Sequence, residues 1–449
     1  MERLGRPYAS TSGGERPHFQ PLRPPSMRSA HSLSLESMVF DTTLIPMAAD
    51  RPGDDPIFSL NAEARKRAAA GDSILNATIG ALLEDDGSLA ILPSVSEAVA
   101  KVDPRRAASY APISGEPAFQ QAVIDDTFGD SPLNQFAVAA ATPGGTGAIL
   151  HAITSFLEPG HSILVPEYYW GPYKTIASHT ARKVETFSMF NAEGRFNIEA
   201  FEEGLSGQLD RQGRALFISN FPCNNPTGYS LDEEEWEGLS EVIERQAKKG
   251  PVSFLLDLAY ARFGASGSER WVEHVERFAH CAQLLVAWTA SKAYAQYGAR
   301  VGALVAVHPD SSERERLKAA MGFACRGTWS NCNHQAMVAI TELLLDPEKR
   351  RRATAEREVL KRLLRERVDA FNQAASGTSL RYPRYEGGFF VSVFTPDAEK
   401  TAARMRELGV YVVPLNGAVR IALCSTRAKD IPRLIVALEE GLAAVGGSE

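Results

Sequence analysis

The feature that most constrains this chain is an alternation. From about Asp54 to the C-terminus, apolar runs of strand length are separated by stretches with helical periodicity. The runs include FAVAAA (136–141), SILVP (162–166), ALFIS (215–219), VSFLLD (252–257), QLLVAW (283–288) and VGALVAV (301–307). That pattern belongs to an α/β protein with a mostly parallel central sheet. Between two of the runs, Ser230-Leu-Asp-Glu233 has capping-box spacing and is expected to open the helical EEEWEGLSEVIERQAKKG. Later, DPEKRRRATAEREVLKRLLRERVDAFNQAA reads as a long charged helix. It leads toward a smaller α+β domain containing GGFFVSVF, GVYVVP and AVRIAL.

Composition narrows the partners. A formal net charge of -7 argues against a nucleic-acid polyanion as the main partner. No apolar run approaches the roughly 20 residues that span a bilayer, so no membrane is expected. The five cysteines are scattered without a CxxC pair, which fits reduced thiols in a cytosol better than a disulfide framework or a zinc site. No metal is expected, and the expected location is the cytoplasm. Residues 1–50 are rich in Pro, Ser and Arg and read as a disordered extension. A transit peptide, or an overlong start with Met47 as the true initiator, stays open there.

In open parallel sheets, ligands bind beyond the carboxyl ends of the strands, so the residues after each run carry the chemistry. After FAVAAA comes Thr142-Pro-Gly-Gly-Thr-Gly147 and then a helical pattern. A glycine turn at a helix N-terminus lets backbone N–H groups approach a phosphate. The spacing is neither GxxxxGK[ST] nor GxGxxG. After ALFIS comes NFPCNNPTG, with Asn225 as either a turn former or a ligand donor. After VSFLL come Asp257 and Tyr260, and a carboxylate at such a strand end is costly without a partner. After QLLVAW come Thr289, Ser291 and Lys292, with Arg300 opening the next run.

One cofactor would use all of these groups. Pyridoxal 5'-phosphate offers a phosphate to the glycine turn and a ring nitrogen to the carboxylate. It also offers a phenolic oxygen to Asn and Tyr donors, and an aldehyde to a lysine.

With these residues in place, the chain resembles the class I aminotransferases of fold type I, in the aspartate and aromatic amino acid branch. The likeness runs from DDPIFSL at Asp54 almost to the C-terminus, and its most specific element is Ser291-Lys292 followed by Arg300-Val-Gly. The resemblance implies that Lys292 carries the cofactor as a Schiff base and shuttles the proton. It implies that Asp257 pairs with the ring nitrogen, and Tyr260 and Asn225 with the phenolic oxygen. Gly145, Thr146, Thr289, Ser291 and Arg300 would cradle the phosphate. Trp170 would stack on the ring, and Tyr110 would reach the phosphate of a neighbouring subunit. Gly80 lies on the segment that would close over the substrate. Arg420 would bind the α-carboxylate, where a planar guanidinium suits bidentate pairing. Arg326 aligns with the arginine that receives the distal carboxylate of aspartate or glutamate, again from the neighbouring subunit.

The chain departs from the branch in two places near the ring. Asn224 stands where His precedes Asn-Pro-Thr-Gly, and Tyr173 stands where a histidine is common. The resulting expectation is a homodimeric aminotransferase that moves an amino group between an amino acid (aspartate, glutamate or aromatic) and a 2-oxo acid. A pyridoxal-phosphate decarboxylase or lyase is the alternative that keeps the cofactor. A non-catalytic sensor following a DNA-binding module is the alternative from another class. The expected division gives 51–90 and 360–449 to the small domain and 91–359 to the large cofactor-binding domain.

Overall fold

The computed structural model describes residues 42–51, 53 and 56–446. It divides into two units, Met1–Gly53 and Asp54–Glu449. In the first, Pro46–Ala49 forms one helical turn with proline at its start. The disorder expected of residues 1–50 falls largely on residues 1–41, which lie outside the described residues.

Among its described residues the second unit contains three sheets. Its strands are β1 (Leu75–Asn76), β2 (Ala137–Pro143), β3 (Ser162–Pro166), β4 (Lys183–Phe187), β5 (Ala215–Ser219) and β6 (Val252–Asp257), followed by β7 (Gln283–Thr289), β8 (Val301–Val307), β9 (Phe390–Phe394), β10 (Val410–Tyr411), β11 (Val413–Leu415) and β12 (Ala418–Ala422). The large sheet has the order β2-β8-β7-β6-β5-β3-β4. The pairs among β3, β4, β5, β6 and β7 are parallel, whereas β8 runs antiparallel to both β2 and β7. One consequence decides where the site lies. The carboxyl ends of β2, β5, β6 and β7 and the start of β8 share one edge of the sheet.

The runs are apolar throughout because both faces of the sheet are covered. Phe217 of β5 and Phe254 of β6 belong to one hydrophobic cluster, while their neighbours Leu216, Ile218 and Leu255 belong to the other. Side chains alternate across a strand, so a sheet buried on both sides needs apolar residues at every position. Strand β4 was not anticipated. It lies at the sheet edge, and its Lys183 and Thr186 are exposed, so KVETF lacks the apolar signature.

The smaller sheets pair β1 with β10 in parallel, and β12 antiparallel with β11 and β9. The run GVYVVP is therefore split, with Val410–Tyr411 in one sheet and Val413–Leu415 in the other. The long charged helix spans Pro347–Ala375, capped by the Asp346 side chain, which accepts from Glu348 N and Lys349 N. This helix runs unbroken through the expected boundary at 359/360. The capping box stands two residues later than expected. Asp232 accepts from Glu235 N, and the Glu235 carboxylate accepts from Asp232 N. Arg195 and Arg384 both pair with Asp232, which holds it as the cap. Among the described residues, no helix is long and apolar enough to cross a membrane.

Candidate active site

The site begins where β2 meets the helix Gly144–Phe156. Gly144 has φ +68°, and its N–H donates to Arg300 O at 3.1 Å. A Cβ on Gly144 would stand 2.6 Å from Arg300 Nη2, and one on Gly302 would stand 2.4 Å from the Gly144 carbonyl carbon. The two backbones touch there, which only glycine permits. The first-turn N–H groups of this helix have no intrahelical partners and sit at its positive end.

The hydroxyls and the guanidinium gather beside that turn. Ser291 N donates to Thr289 Oγ1 at 3.2 Å, and Thr289 Oγ1 lies 3.0 Å from Ser291 Oγ. Arg300 Nη1 donates to Tyr297 O at 2.9 Å and reaches Ser291 Oγ at 3.5 Å. Arg300 holds φ +54°, the left-handed region, which is uncommon for a residue with a side chain.

Asp257 ends β6 and is 5% exposed. Its Oδ2 accepts from the Tyr173 hydroxyl at 2.7 Å and its Oδ1 from Ala259 N at 3.1 Å. Burial pushes its carboxyl above the usual range, and the Tyr173 hydrogen bond works against that. Asn220 ties the neighbouring strand ends together, donating to Asp257 O at 2.8 Å and accepting from Asn225 N at 2.7 Å. Asn225 Nδ2 donates to the Tyr260 hydroxyl at 3.3 Å.

Lys292 lines the same cavity wall. Burial lowers its pKa to about 8, so a neutral amine is accessible near physiological pH. Its Nζ donates to Gly80 O at 2.9 Å and lies 4.5 Å from the centre of the Tyr297 ring. Arg420 is buried on β12, where Nη2 donates to Thr78 O at 2.9 Å and the guanidinium lies 4.5 Å over Phe390. A Cβ on Gly80 would meet Phe390 Cζ at 2.8 Å, so the 78–82 segment passes close against the same ring.

Ten of the expected residues line one cavity of about 380 Å³: Gly145, Thr146, Trp170, Asn225, Asp257, Tyr260, Thr289, Ser291, Lys292 and Arg300. Gly80 joins through its hydrogen bond with Lys292, and Arg420 through the Thr78 carbonyl. Tyr110 and Arg326 stand apart. Tyr110 is 92% exposed, and Arg326 is exposed on the helix Ser311–Thr328, donating to Ser330 Oγ at 2.8 Å. Sequence reasoning missed Asn220 and Tyr297, which also line the cavity. The strand-end rule reaches Asn220, the residue directly after β5. Tyr297 lies between Lys292 and Arg300, where an aromatic residue carried no special signal.

The donor chemistry fits pyridoxal phosphate. A helix N-terminus, two hydroxyls and a guanidinium form an anion cradle that a Cβ at Gly144 would obstruct. A buried carboxylate and a lysine with a lowered pKa line the same cavity. Among the described residues, no cluster of three or more His, Cys, Asp or Glu side chains is placed to hold a metal.

Known proteins agree with this chemistry. An aromatic-amino-acid aminotransferase of Paracoccus denitrificans is 28% identical over 397 residues, covering 86% of this chain and 97% of the relative. A crystal structure of an aminotransferase from Anaerococcus prevotii superposes with a TM-score of 0.83 at 31% identity, covering 90% of this chain and all of the other. The aromatic-amino-acid aminotransferase of Burkholderia pseudomallei, solved covalently bound to pyridoxal phosphate, has the same fold, with a TM-score of 0.72 at 23% identity over 88% of this chain and 98% of its own. Residues 72–438 match the family described as aminotransferase class I and II, and to that family this chain belongs.

Proposed function

We propose how this chain moves an amino group from an amino acid to a 2-oxo acid with pyridoxal phosphate. The observation that carries the reading is the meeting of Lys292, Asp257 and the Gly145–Arg300 anion cradle in one cavity. Bound there, the cofactor supplies an aldehyde that takes the amino group and a ring that accepts the electron pair released at Cα. The residues divide the remaining work. The Gly145 and Thr146 backbone, Thr289, Ser291 and Arg300 would hold the phosphate. Asp257 would hold a proton on the ring nitrogen, while Asn225 and Tyr260 would donate to the phenolic oxygen. Trp170 would cover the ring face. Lys292, as a neutral amine, would take the proton from Cα and return it at the cofactor's C4′, across the bridging nitrogen. A base with a pKa near the working pH is suited to that task.

Substrate selection rests on two arginines. Arg420 pairs with the α-carboxylate of every substrate, and the Gly80 segment closes over it to exclude water. Arg326 receives the distal carboxylate of aspartate or glutamate in the site of a second copy, into which Tyr110 also reaches. The working form is a cytoplasmic twofold homodimer with shared sites. Exposed apolar side chains beside both residues support that face as the region where two copies meet: Ile113 follows Tyr110 on one loop, and Phe323, 83% exposed, precedes Arg326 by one helical turn.

The test is direct. Borohydride reduction of the loaded protein followed by mass spectrometry should place the cofactor on Lys292, and label on another lysine overturns the assignment. An amino acid added alone should leave the cofactor in its amine form. Release of carbon dioxide or of a side-chain fragment, with the aldehyde regenerated, would point to the decarboxylase or lyase reading.

A further inference from the structure

Tyr173 is a buried residue beside Asp257, and its surroundings give it a definite task. It occupies the first turn of the helix Pro172–His179 and is 1% exposed. Its hydroxyl donates to Asp257 Oδ2 at 2.7 Å. Its ring meets Trp170 edge-on, with centroids 5.5 Å apart and planes at 88°, and lies parallel to Tyr169 at 6.3 Å. One side chain thus braces both the carboxylate and the indole of the cavity.

We propose that Tyr173 is a positioning residue that fixes the Asp257 carboxylate toward the cofactor's ring nitrogen and seats Trp170 on the ring face. The proposal rests on the placement of pyridoxal phosphate described above. The other Asp257 oxygen has one backbone donor, Ala259 N, so the phenol is the side-chain donor that sets the carboxylate's rotation. The titratable groups that face Asp257 are Tyr173 from its helix, Tyr260 from the turn after β6 and Lys292 from the turn after β7.

A phenol suits this place for a reason a histidine does not share. Burial pushes the Asp257 carboxyl up, toward the neutral form, and a neutral acid could not hold a proton on the ring nitrogen. The phenol offers a hydrogen bond that favours the charged carboxylate. Burial and the neighbouring Asp257 keep its own proton in place well above its ordinary range. The Asp257–ring unit therefore acquires no titration step from its supporting residue. An imidazole would introduce one between about pH 5 and 8.

Three variants test this on the loaded chain, with cofactor affinity and the pH titration of cofactor absorbance as readouts beside turnover. Tyr173→Phe keeps the ring against Trp170 and removes the donor. It should weaken pyridoxal phosphate binding about tenfold to a hundredfold, the range for a hydrogen bond to a charged group, and lower kcat more than it alters KM. Tyr173→His should recover part of that affinity and add a titration step that the native chain lacks. In an Asp257→Asn background, Tyr173→Phe should cost nothing further, because the group it positions is gone. A Phe variant with native affinity and a native titration curve would overturn the proposal. So would a loss that persists undiminished in the Asp257→Asn background, since that marks a packing role only. A native chain that takes up no pyridoxal phosphate overturns the reading of the cavity and the proposal together, an outcome distinct from the other two.

Discussion

The cavity wall and the Tyr110–Arg326 rim differ in what a single chain completes. On the wall, Asp257, Asn225 and Tyr260 are buried and hydrogen-bonded to other residues of the same chain. At the rim, Tyr110 presents its ring to solvent and Arg326 has a serine neighbour. Yet the rim's base is not loose. Asn331 grips both sides of Ala111, accepting from its N at 3.1 Å and donating to its O at 2.6 Å, and His334 Nδ1 lies 2.8 Å from Ser109 O. An exposed aromatic on a clamped loop suits the contact with a second copy proposed above. The wall expresses chemistry that one chain contains, whereas the role proposed for the rim requires a second copy.

The largest effect should come from the wall. Lys292→Ala removes the group that takes and returns the proton, and turnover should fall by about four orders of magnitude, the upper end for a positioned acid–base group. The chain should still fold and retain cofactor noncovalently, because the cradle and Asp257 are untouched. Stopped-flow absorbance with a saturating amino acid would measure it, and turnover within tenfold of native would break the contrast at once.

The two arginines sharpen it next. Arg420→Ala should lower kcat/KM for every amino acid by about 30- to 1,000-fold, corresponding to roughly 2–4 kcal/mol for removing a charge-assisted hydrogen bond from a desolvated site. Arg326→Ala should cost about tenfold to a hundredfold on aspartate and little on phenylalanine, because only the former is deprived of a partner for its distal carboxylate. Equal losses on both substrates would remove Arg326 from substrate selection. The place proposed for it in the other copy's site can be tested by complementation. When Lys292→Ala and Arg326→Ala chains are co-refolded, one site of the mixed dimer has both residues intact, so aspartate activity should return. Mixed dimers without recovery would return Arg326 to its own chain's site or to none.

The same contrast governs how much the sequence disclosed. The wall was readable because its residues follow strands whose apolar runs mark their ends. SILVP, ALFIS, VSFLLD and VGALVAV coincide with β3, β5, β6 and β8. What stayed hidden depends on partners distant in the chain. Asn220 has its role through the Asp257 carbonyl, 37 residues away, and Tyr297 through Leu82 N, which donates to its hydroxyl at 3.0 Å. Both Ser230–Glu233 and Asp232–Glu235 have capping-box spacing, and the Arg195 and Arg384 ion pairs select the second. Edge strand β4 has no apolar run because solvent covers part of it. The rim was the least readable, since neither its exposure nor its clamps leave a periodic trace.

The smallest effect concerns stability and separates the two regions by its pH dependence. In the cofactor-free chain, burial lowers Lys292 from its ordinary value of 10.5 to about 8. Between those values the unfolded chain binds more protons than the folded one, so stability should rise with pH across that window. Below about pH 8 the folded chain carries the full penalty of a desolvated ammonium, roughly 3 kcal/mol at about 1.36 kcal/mol for each pH unit. Lys292→Met fills similar volume without the charge, though it gives up the hydrogen bond to Gly80 O. The variant should therefore gain roughly 1–3 kcal/mol at about pH 7, with the gain shrinking as pH rises and gone above about 10.5. Arg326→Ala, exposed and without a desolvated charge, should stay within about 0.5 kcal/mol at every pH. Urea melts of the cofactor-free proteins at stepped pH would show both. A Lys292→Met gain that does not shrink with pH would mean that packing, not the buried ammonium, separates the variant from the native chain. The wall would then lose the instability that marks a site built for a charge it is waiting to give up.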